Sequence, residues 1–247
     1  MAPPWQGNVQ ISLEEPCTMD DLSRLDFFRP FPESVLAALA AVARWRGFDA
    51  GQTVLEAGDP ARDIFFIAAG EVRIITGASG GQEIILNELG PGQFFGEIAA
   101  IDGGPRSAGV VALTRCRICV IAAEPFMSFA LSTPEASKHV MRLLAGLVRE
   151  KDARLLELTV LPVRPRLICL LLRMARPHVS GGLVVSPPRP HHELAARVGT
   201  GREVVSRTLS ALQRDGLVVA ERGGLLLPVP RKLRAEVEAS YRATGAG

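Results

Sequence analysis

Residues Phe94–Ala108 read FFGEIAAIDGGPRSA, a run punctuated by glycines in which one acid, Glu97, stands nine residues ahead of an Arg-Ser pair, Arg106 and Ser107. These residue types define a binding chemistry. A carboxylate accepts from sugar hydroxyls, while a guanidinium fork, a hydroxyl and free backbone N–H groups together hold a phosphate. Gly96 lets the backbone approach closely, and Gly103-Gly104-Pro105 sets a tight turn ahead of the arginine. With Ile98 beside the acid, the candidate ligand-binding set is Gly96, Glu97, Ile98, Arg106 and Ser107.

The flanks decide whether this is a pocket or a solvated turn with a surface ion pair. Upstream lie short apolar runs of strand length, Ile64-Phe65-Phe66-Ile67, Val72 to Thr76 and Ile84 to Leu89, separated by Gly70, the cluster from Gly77 to Gly81, and Gly90-Pro91-Gly92. Val110 to Leu113 and Ile118 to Ile121 follow downstream. Many short strands joined by glycine turns predict a β-barrel or β-roll, and in that setting the motif reads as a pocket.

A chain of 247 residues with 47% hydrophobic content can form two compact domains. No apolar run is long enough to span a membrane. The first ten residues, MAPPWQGNVQ, carry neither a basic nor an apolar leader segment, so a cytoplasmic protein with no membrane partner is expected. The net charge of +2 conceals a division. Residues 1–158 hold 14 Lys and Arg against 20 Asp and Glu, whereas residues 159–247 hold 14 against 6. A basic last third points to a polyanionic partner.

That last third contains HHELAARVGTGREVVSRTLSALQRDGLVV from His191. A first helix, His191 to Val198, stops at Gly199, and a second starts after Thr200-Gly201, both acceptable N-cap residues. This predicts a helix-turn-helix. Val205, Leu209 and Leu212 recur at i, i+4 and i+7 as its buried stripe, leaving Arg202, Glu203, Ser206 and Arg207 on other faces, where the start of the helix can enter a major groove. Leu217 to Leu227, turning at Arg222-Gly223-Gly224, reads as a hairpin wing.

Between the two motifs lies a long helical stretch, Pro134 to Leu161. Leu144, Val148, Lys151, Leu155 and Leu158 fall at alternating spacings of four and three, a coiled-coil seam that predicts a symmetric dimer, with part of the stripe available as core for the β-roll. Pro162 and Pro165 then break the helix. The expected organisation is a flexible arm over 1–18, a sensor over 19–133, a dimerisation helix over 134–161 and a winged helix-turn-helix over 162–247.

Gly96, Glu97, Arg106 and Ser107 resemble the phosphate-binding cassette of cyclic-nucleotide-binding domains. Arg202, Glu203 and Arg207 match the Arg-Glu-x-x-x-Arg signature of the catabolite activator branch of the Crp-Fnr regulators. From about residue 22 to 230 the order of elements is similar to that superfamily. The resemblance implies an α+β chain: an N-terminal cyclic-nucleotide-binding β-roll, a long dimerisation helix and a C-terminal winged helix-turn-helix. It implies a homodimer gated by cAMP or cGMP with no tightly bound cofactor, RNA polymerase as a partner, and double-stranded DNA read at a TGTGA-like palindrome, the arginines on guanine and the glutamate on cytosine. Glu203, Ser206 and Arg207 also fit the oxygen-sensor branch, which leaves a TTGAT-like half-site open.

One position departs from the family. Where the cAMP-responsive members carry a Thr-Ser pair facing the adenine, this chain has Lys151 and Asp152. A carboxylate accepts from both N1–H and N2–H of guanine, so Asp152 either tilts selectivity toward cGMP or forms an ion pair that selects no base.

Redox and metal chemistry find little support. Cys116 and Cys119 have CxxC spacing, but residues three apart on a strand point to opposite faces. Cys17 stands alone near the N-terminus, the four histidines lie outside the β-roll, and His191-His192 read as capping or phosphate-near residues. No nucleophile sits in a catalytic arrangement, so an enzyme is not expected. Besides the nucleotide-gated regulator, two readings stay open: a same-fold regulator needing no nucleotide or gated by another ligand, and a nucleotide-binding module such as a kinase regulatory subunit.

Overall fold

The computed structural model describes residues 15–77 and 83–245. The chain divides into two units between Leu144 and Ala145. The first described strand, β1 (Glu15–Pro16), leads into α1 (Met19–Arg24), whose start is fixed by a reciprocal cap. The Thr18 hydroxyl accepts from the Asp21 N–H at 3.1 Å, and the Asp21 carboxylate accepts from the Thr18 N–H at 3.0 Å. That backbone donor holds the Asp21 carboxyl below the usual carboxylate range. The expected arm over 1–18 is therefore shorter at its described end. Glu15 and Pro16 pair with Trp45 and Arg44, and Cys17 is buried, because this segment covers a sheet edge; residues 1–14 lie outside the described residues.

The rest of the N-terminal unit follows as α2 (Glu33–Val42), β2 (Arg44–Phe48), β3 (Thr53–Leu55), β4 (Ile64–Ala69), β5 (Val72–Gly77), β6 (Glu83–Leu89), β7 (Phe94–Phe95), α3 (Glu97–Asp102), β8 (Gly109–Ala112), β9 (Cys116–Ile121) and α4 (Ala123–Ala130). The apolar runs anticipated as strands are β4, β5, β6, β8 and β9. They form two antiparallel sheets, β1-β2-β9-β4-β7 and β3-β8-β5-β6. Alternation along the buried strands β4 and β9 divides the interior in two. Phe65, Ile67, Cys116, Ile118 and Val120 join Val72, Leu89 and Val110 in one core. Ile64, Phe66, Cys119 and Ile121 face a second, aromatic core with Phe27, Phe28, Phe126 and Phe129.

Helix α5 (Pro134–Val160) belongs to both units. Ala136 is fully buried and Val140 and Leu143 pack on the aromatic core, so the opening turns of the helix belong to the core of the N-terminal unit, the use that the sequence left available for part of it. On another face the helix exposes apolar side chains at heptad spacing: Met141 is 60%, Val148 56% and Leu155 65% exposed. Pro162 ends the run and precedes α6 (Val163–Met174).

The C-terminal unit continues with β10 (Arg176–Pro177), β11 (Leu183–Val185), α7 (His191–Val198), α8 (Arg202–Arg214), β12 (Val219–Glu221), β13 (Gly224–Leu227) and α9 (Pro230–Ala243). Gly199, in the left-handed region with φ 64°, ends α7, and Gly201 rather than Thr200 is the N-cap of α8. The wing hairpin is β12-β13, and two strands that the sequence reading did not anticipate widen it to a sheet ordered β10-β11-β13-β12. Arg164 of α6 binds Glu236 at 2.6 Å and Asp215 at 2.7 Å, tying α6 to α9 and to the end of α8. Among the described residues no helix is long and apolar enough to cross a membrane.

Phe28 is fully buried and packs on Phe27, Phe66 and Phe129. Phe28→Ala is expected to cost about 3–5 kcal/mol, read as a lower urea midpoint for unfolding of the N-terminal unit.

Candidate functional site

The cassette begins where β7 gives way to α3. Gly96 is the N-cap of α3 with φ 85°, a left-handed conformation that side chains resist. Space excludes one too: a Cβ there would lie 2.8 Å from the Asp63 carbonyl oxygen and 2.9 Å from Arg106 Nη1. What the sequence presents as a glycine-punctuated turn is thus a six-residue helix, Glu97–Asp102, ending at a second left-handed glycine, Gly103. Glu97 is its first residue and is half-buried, Ile98 is exposed, and the amides of the first turn have no intrahelical acceptor.

Arg106 is brought back to Gly96 by the loop before β4. Its backbone N–H donates to Asp59 O at 2.9 Å, and its carbonyl accepts from Gly58 N–H at 2.8 Å. The side chain is only 4% exposed. One of its amino groups, Nη1, donates to Gly96 O at 3.2 Å, and the guanidinium carbon lies 5.4 Å from the Phe65 ring centre. Nε and Nη2 are buried with no hydrogen-bond partner among the described residues. Burial lowers the guanidinium's proton affinity, while Asp63, Asp59 and Glu97 oppose the shift; arginine stays charged in either case. The result is a held cation with two unused donors, a state that an anion would relieve. Ser107, next in the chain, is exposed and makes no hydrogen bond among the described residues.

Gly96, Glu97 and Arg106 therefore meet, with Ile98 and Ser107 flanking them. Asp59, Asp63 and Phe65, which frame Arg106, escaped the sequence reading because they act through a loop and a strand register far from the motif. Lys151 and Asp152 belong to the C-terminal unit, exposed on α5 and without an ion pair among the described residues.

On α8 the anticipated stripe is buried: Val205 is 0%, Leu209 3% and Leu212 0% exposed. Arg202, Glu203 and Arg207 are exposed and their side chains form no ion pair or hydrogen bond among the described residues, so they are not a salt-bridged helix face. Ser206 is half-buried and engaged. Its hydroxyl donates to Arg202 O at 3.1 Å and meets His191 Nδ1 at 2.7 Å. His191 therefore supports the second helix rather than capping the first, where Pro190 is the N-cap and no side chain caps.

Two other readings change. His139, expected outside the β-roll, packs edge-on against Phe27 and Phe31 in the aromatic core, since α5 starts there. Cys17 is not alone: Cys119 Sγ lies 4.0 Å from its sulfur. Cys116 and Cys119 do face different cores, and the described residues contain no cluster suited to a metal ion.

A strand-framed buried guanidinium in the N-terminal unit and a helix-turn-helix with exposed charged side chains in the C-terminal unit are the two features to set beside known proteins. Residues 45–133 match the cyclic nucleotide-binding domain and residues 165–236 the Crp-like helix-turn-helix domain. The chain is similar to the cyclic AMP receptor protein of Thermus thermophilus, 35% identical over 76% of this chain and 84% of that protein. It is 29% identical to the CRP-like cAMP-activated global transcriptional regulator of Mycobacterium tuberculosis over 87% of this chain and 98% of that one. A solved transcriptional regulator of the CRP/FNR family from Thermus thermophilus aligns with a TM-score of 0.64 and 27% identity, covering 78% of this chain and 98% of its own. The chain belongs to the Crp-Fnr family of transcription regulators.

The unpaired guanidinium makes a signed prediction. Without ligand, Arg106→Leu is expected to leave stability equal or higher, because an incompletely satisfied buried charge is replaced by an apolar side chain. Gly96→Ala is expected to lose about 1–3 kcal/mol through strain at positive φ. Urea unfolding of the two variants beside wild type checks both signs.

Proposed function

We propose that this regulator is a homodimer that binds a purine cyclic nucleotide in the cassette and reads a palindromic DNA site with α8. The observation that carries the reading is the buried Arg106 guanidinium with two unused donors beside Gly96. A cyclic phosphate accepts from Nε and Nη2 as a fork and from the Ser107 hydroxyl, and the Glu97 carboxylate takes the ribose 2′-hydroxyl. The ligand thereby completes hydrogen bonds that the free protein lacks, and that differential lets it favour one conformation over another.

The exposed heptad stripe of α5, from Met141 through Val148 to Leu155, supports a two-fold coiled-coil seam. Two copies of α8 then present Arg202, Glu203 and Arg207 to half-sites one helical turn, about 34 Å, apart. Arg207 and Arg202 donate to guanine and Glu203 accepts from cytosine, which favours TGTGA over the TTGAT alternative, where Ser206 would have to read a base. The His191 contact on Ser206 supports that preference. Nucleotide and DNA each raise affinity for the other, since such coupling is reciprocal.

For the base, the names of the relatives favour cAMP, whereas Asp152, unpaired on α5, offers guanine an acceptor. Calorimetric titration with both nucleotides separates these. Wild type is expected to bind at least one, Arg106→Leu is expected to lose about 2–3 kcal/mol or more, and Asp152→Ala is expected to weaken cGMP selectively if Asp152 selects the base. Absence of binding to either nucleotide would favour a regulator of this fold gated by another ligand.

Fluorescence anisotropy on a TGTGA palindrome tests the DNA reading. Arg207→Ala is expected to cost about 1–3 kcal/mol and to relax discrimination at a single guanine position. An equal loss on every sequence would make Arg207 a phosphate contact.

A further inference from the structure

Cys17 and Cys119 are 102 residues apart in the chain and meet inside the aromatic core, with 4.0 Å between their sulfur atoms. Cys119 is fully buried and Cys17 is 5% exposed. The meeting is built by strand register. Trp45 of β2 pairs with Glu15 of β1 on one side and with Cys119 of β9 on the other, so the chain leaving β1 passes over the thiol of β9. The Cys17 N–H donates to Ala43 O at 3.2 Å, which holds it there. The other two cysteines are elsewhere, Cys116 in the core between the sheets and Cys169 on α6 of the C-terminal unit.

We propose that Cys17 and Cys119 form a reversible disulfide, driven by peroxide, that clasps the N-terminal segment to the sensor sheet. Disulfide sulfurs stand about 2.05 Å apart, so the thiols must close by roughly 2 Å. The movable partner is evident. Strand β1 is two residues long and lies at the edge of its sheet, and α1 is six residues long, so this segment opens at low cost and gives oxidant access that the fixed β9 does not.

The two sulfurs also differ in character. Hydrogen bonding from Cys119 lowers the proton affinity of Cys17 against the effect of burial, while that same contact and burial raise Cys119. Cys17, carried on the short edge segment that opens, is the sulfur that meets the oxidant first. Its sulfur attacks one oxygen of hydrogen peroxide, the O–O bond breaks, and the departing hydroxide takes a proton to leave as water, giving a sulfenic acid. The Cys119 sulfur then attacks the Cys17 sulfur; the S–S bond forms, the S–O bond breaks, and hydroxide leaves with the Cys119 proton as a second water. Two thiols and one peroxide become one disulfide and two waters, and a dithiol reverses the change.

Thiol counting on the intact chain tests this. The reduced protein, denatured and alkylated with a maleimide, carries four adducts, one for each cysteine. After hydrogen peroxide on the folded protein, two adducts are expected, together with a mass lower by two hydrogens and a tryptic cross-link joining the Cys17 and Cys119 peptides. Dithiothreitol is expected to restore four adducts. Cys17→Ser, in which the buried strand is untouched, is expected to keep all three of its thiols through peroxide, whereas Cys119→Ala, if it folds, is expected to lose only the Cys17 thiol, as a sulfenic acid without a cross-link that dithiothreitol reverses. Four adducts after peroxide, a cross-link to Cys116 or Cys169, or sulfinic acid without a cross-link would overturn the proposal.

Discussion

The sensor is organised around one under-satisfied side chain. Arg106 lies in the interior beside Phe65, with one amino group on Gly96 O and two nitrogens, Nε and Nη2, without a hydrogen-bond partner among the described residues. Holding a guanidinium in that state requires a scaffold that will not collapse onto it, and each neighbour contributes to that. Gly96 has no side chain, so the carbonyl can approach from beneath; the loop at Gly58 and Asp59 fixes the backbone of Arg106 from both sides; β4 supplies a flat aromatic surface rather than an acceptor. Phe65 is itself held, stacked on Phe95 of β7 with 4.9 Å between ring centres and 4° between planes. The sheet register that pairs Phe65 with Phe95 is thus also what sets the floor of the site.

How much of this was legible in the sequence followed from how local each feature is. The bounds of α7, the turn at Gly199 and the buried face of α8 are written in periodicity and a C-cap glycine, which act within one or two helical turns, and the structure reproduces them. The long apolar strands were legible for the same reason. Of the strands of two or three residues only β12, marked by the glycine turn of the wing, was; β1, β3, β7, β10 and β11 were not, because they are defined by a partner rather than by a pattern of their own. Within the site, the residue types of the cassette were readable, but the framing by Asp59, Asp63 and Phe65 and the engagement of Ser206 by His191 depend on folding distant segments together. The contact between Cys17 and Cys119 is the extreme case, at a separation of 102 residues.

The long helix illustrates a different limit. Its heptad spacing is continuous in sequence, yet its environment is not. Ala136 is sealed in the aromatic core while Val148 and Leu155 are exposed. Apolar periodicity reports that a face is to be covered but not by what, and a single helix can satisfy one stretch within its own unit and leave the next for another surface.

Charge presents the last tension. The first 158 residues carry more acids than bases, 20 against 14, yet the anion proposed for them would meet a buried guanidinium. Net charge acts through solvent and is screened within about 8 Å at physiological salt, whereas an interaction inside the protein meets a much lower effective dielectric. A ligand arriving at Arg106 therefore responds to the local donors more than to the sum over the unit. Asp59, Asp63 and Glu97 are close enough to favour the charged guanidinium, but Nε and Nη2 remain unbonded, so the acids support the charge without filling its fork. A direct salt bridge in their place would occupy those donors and leave an anion to compete for them. The acidic surroundings and the open fork are compatible because they act at different distances, and the geometry of the loop before β4 keeps them apart.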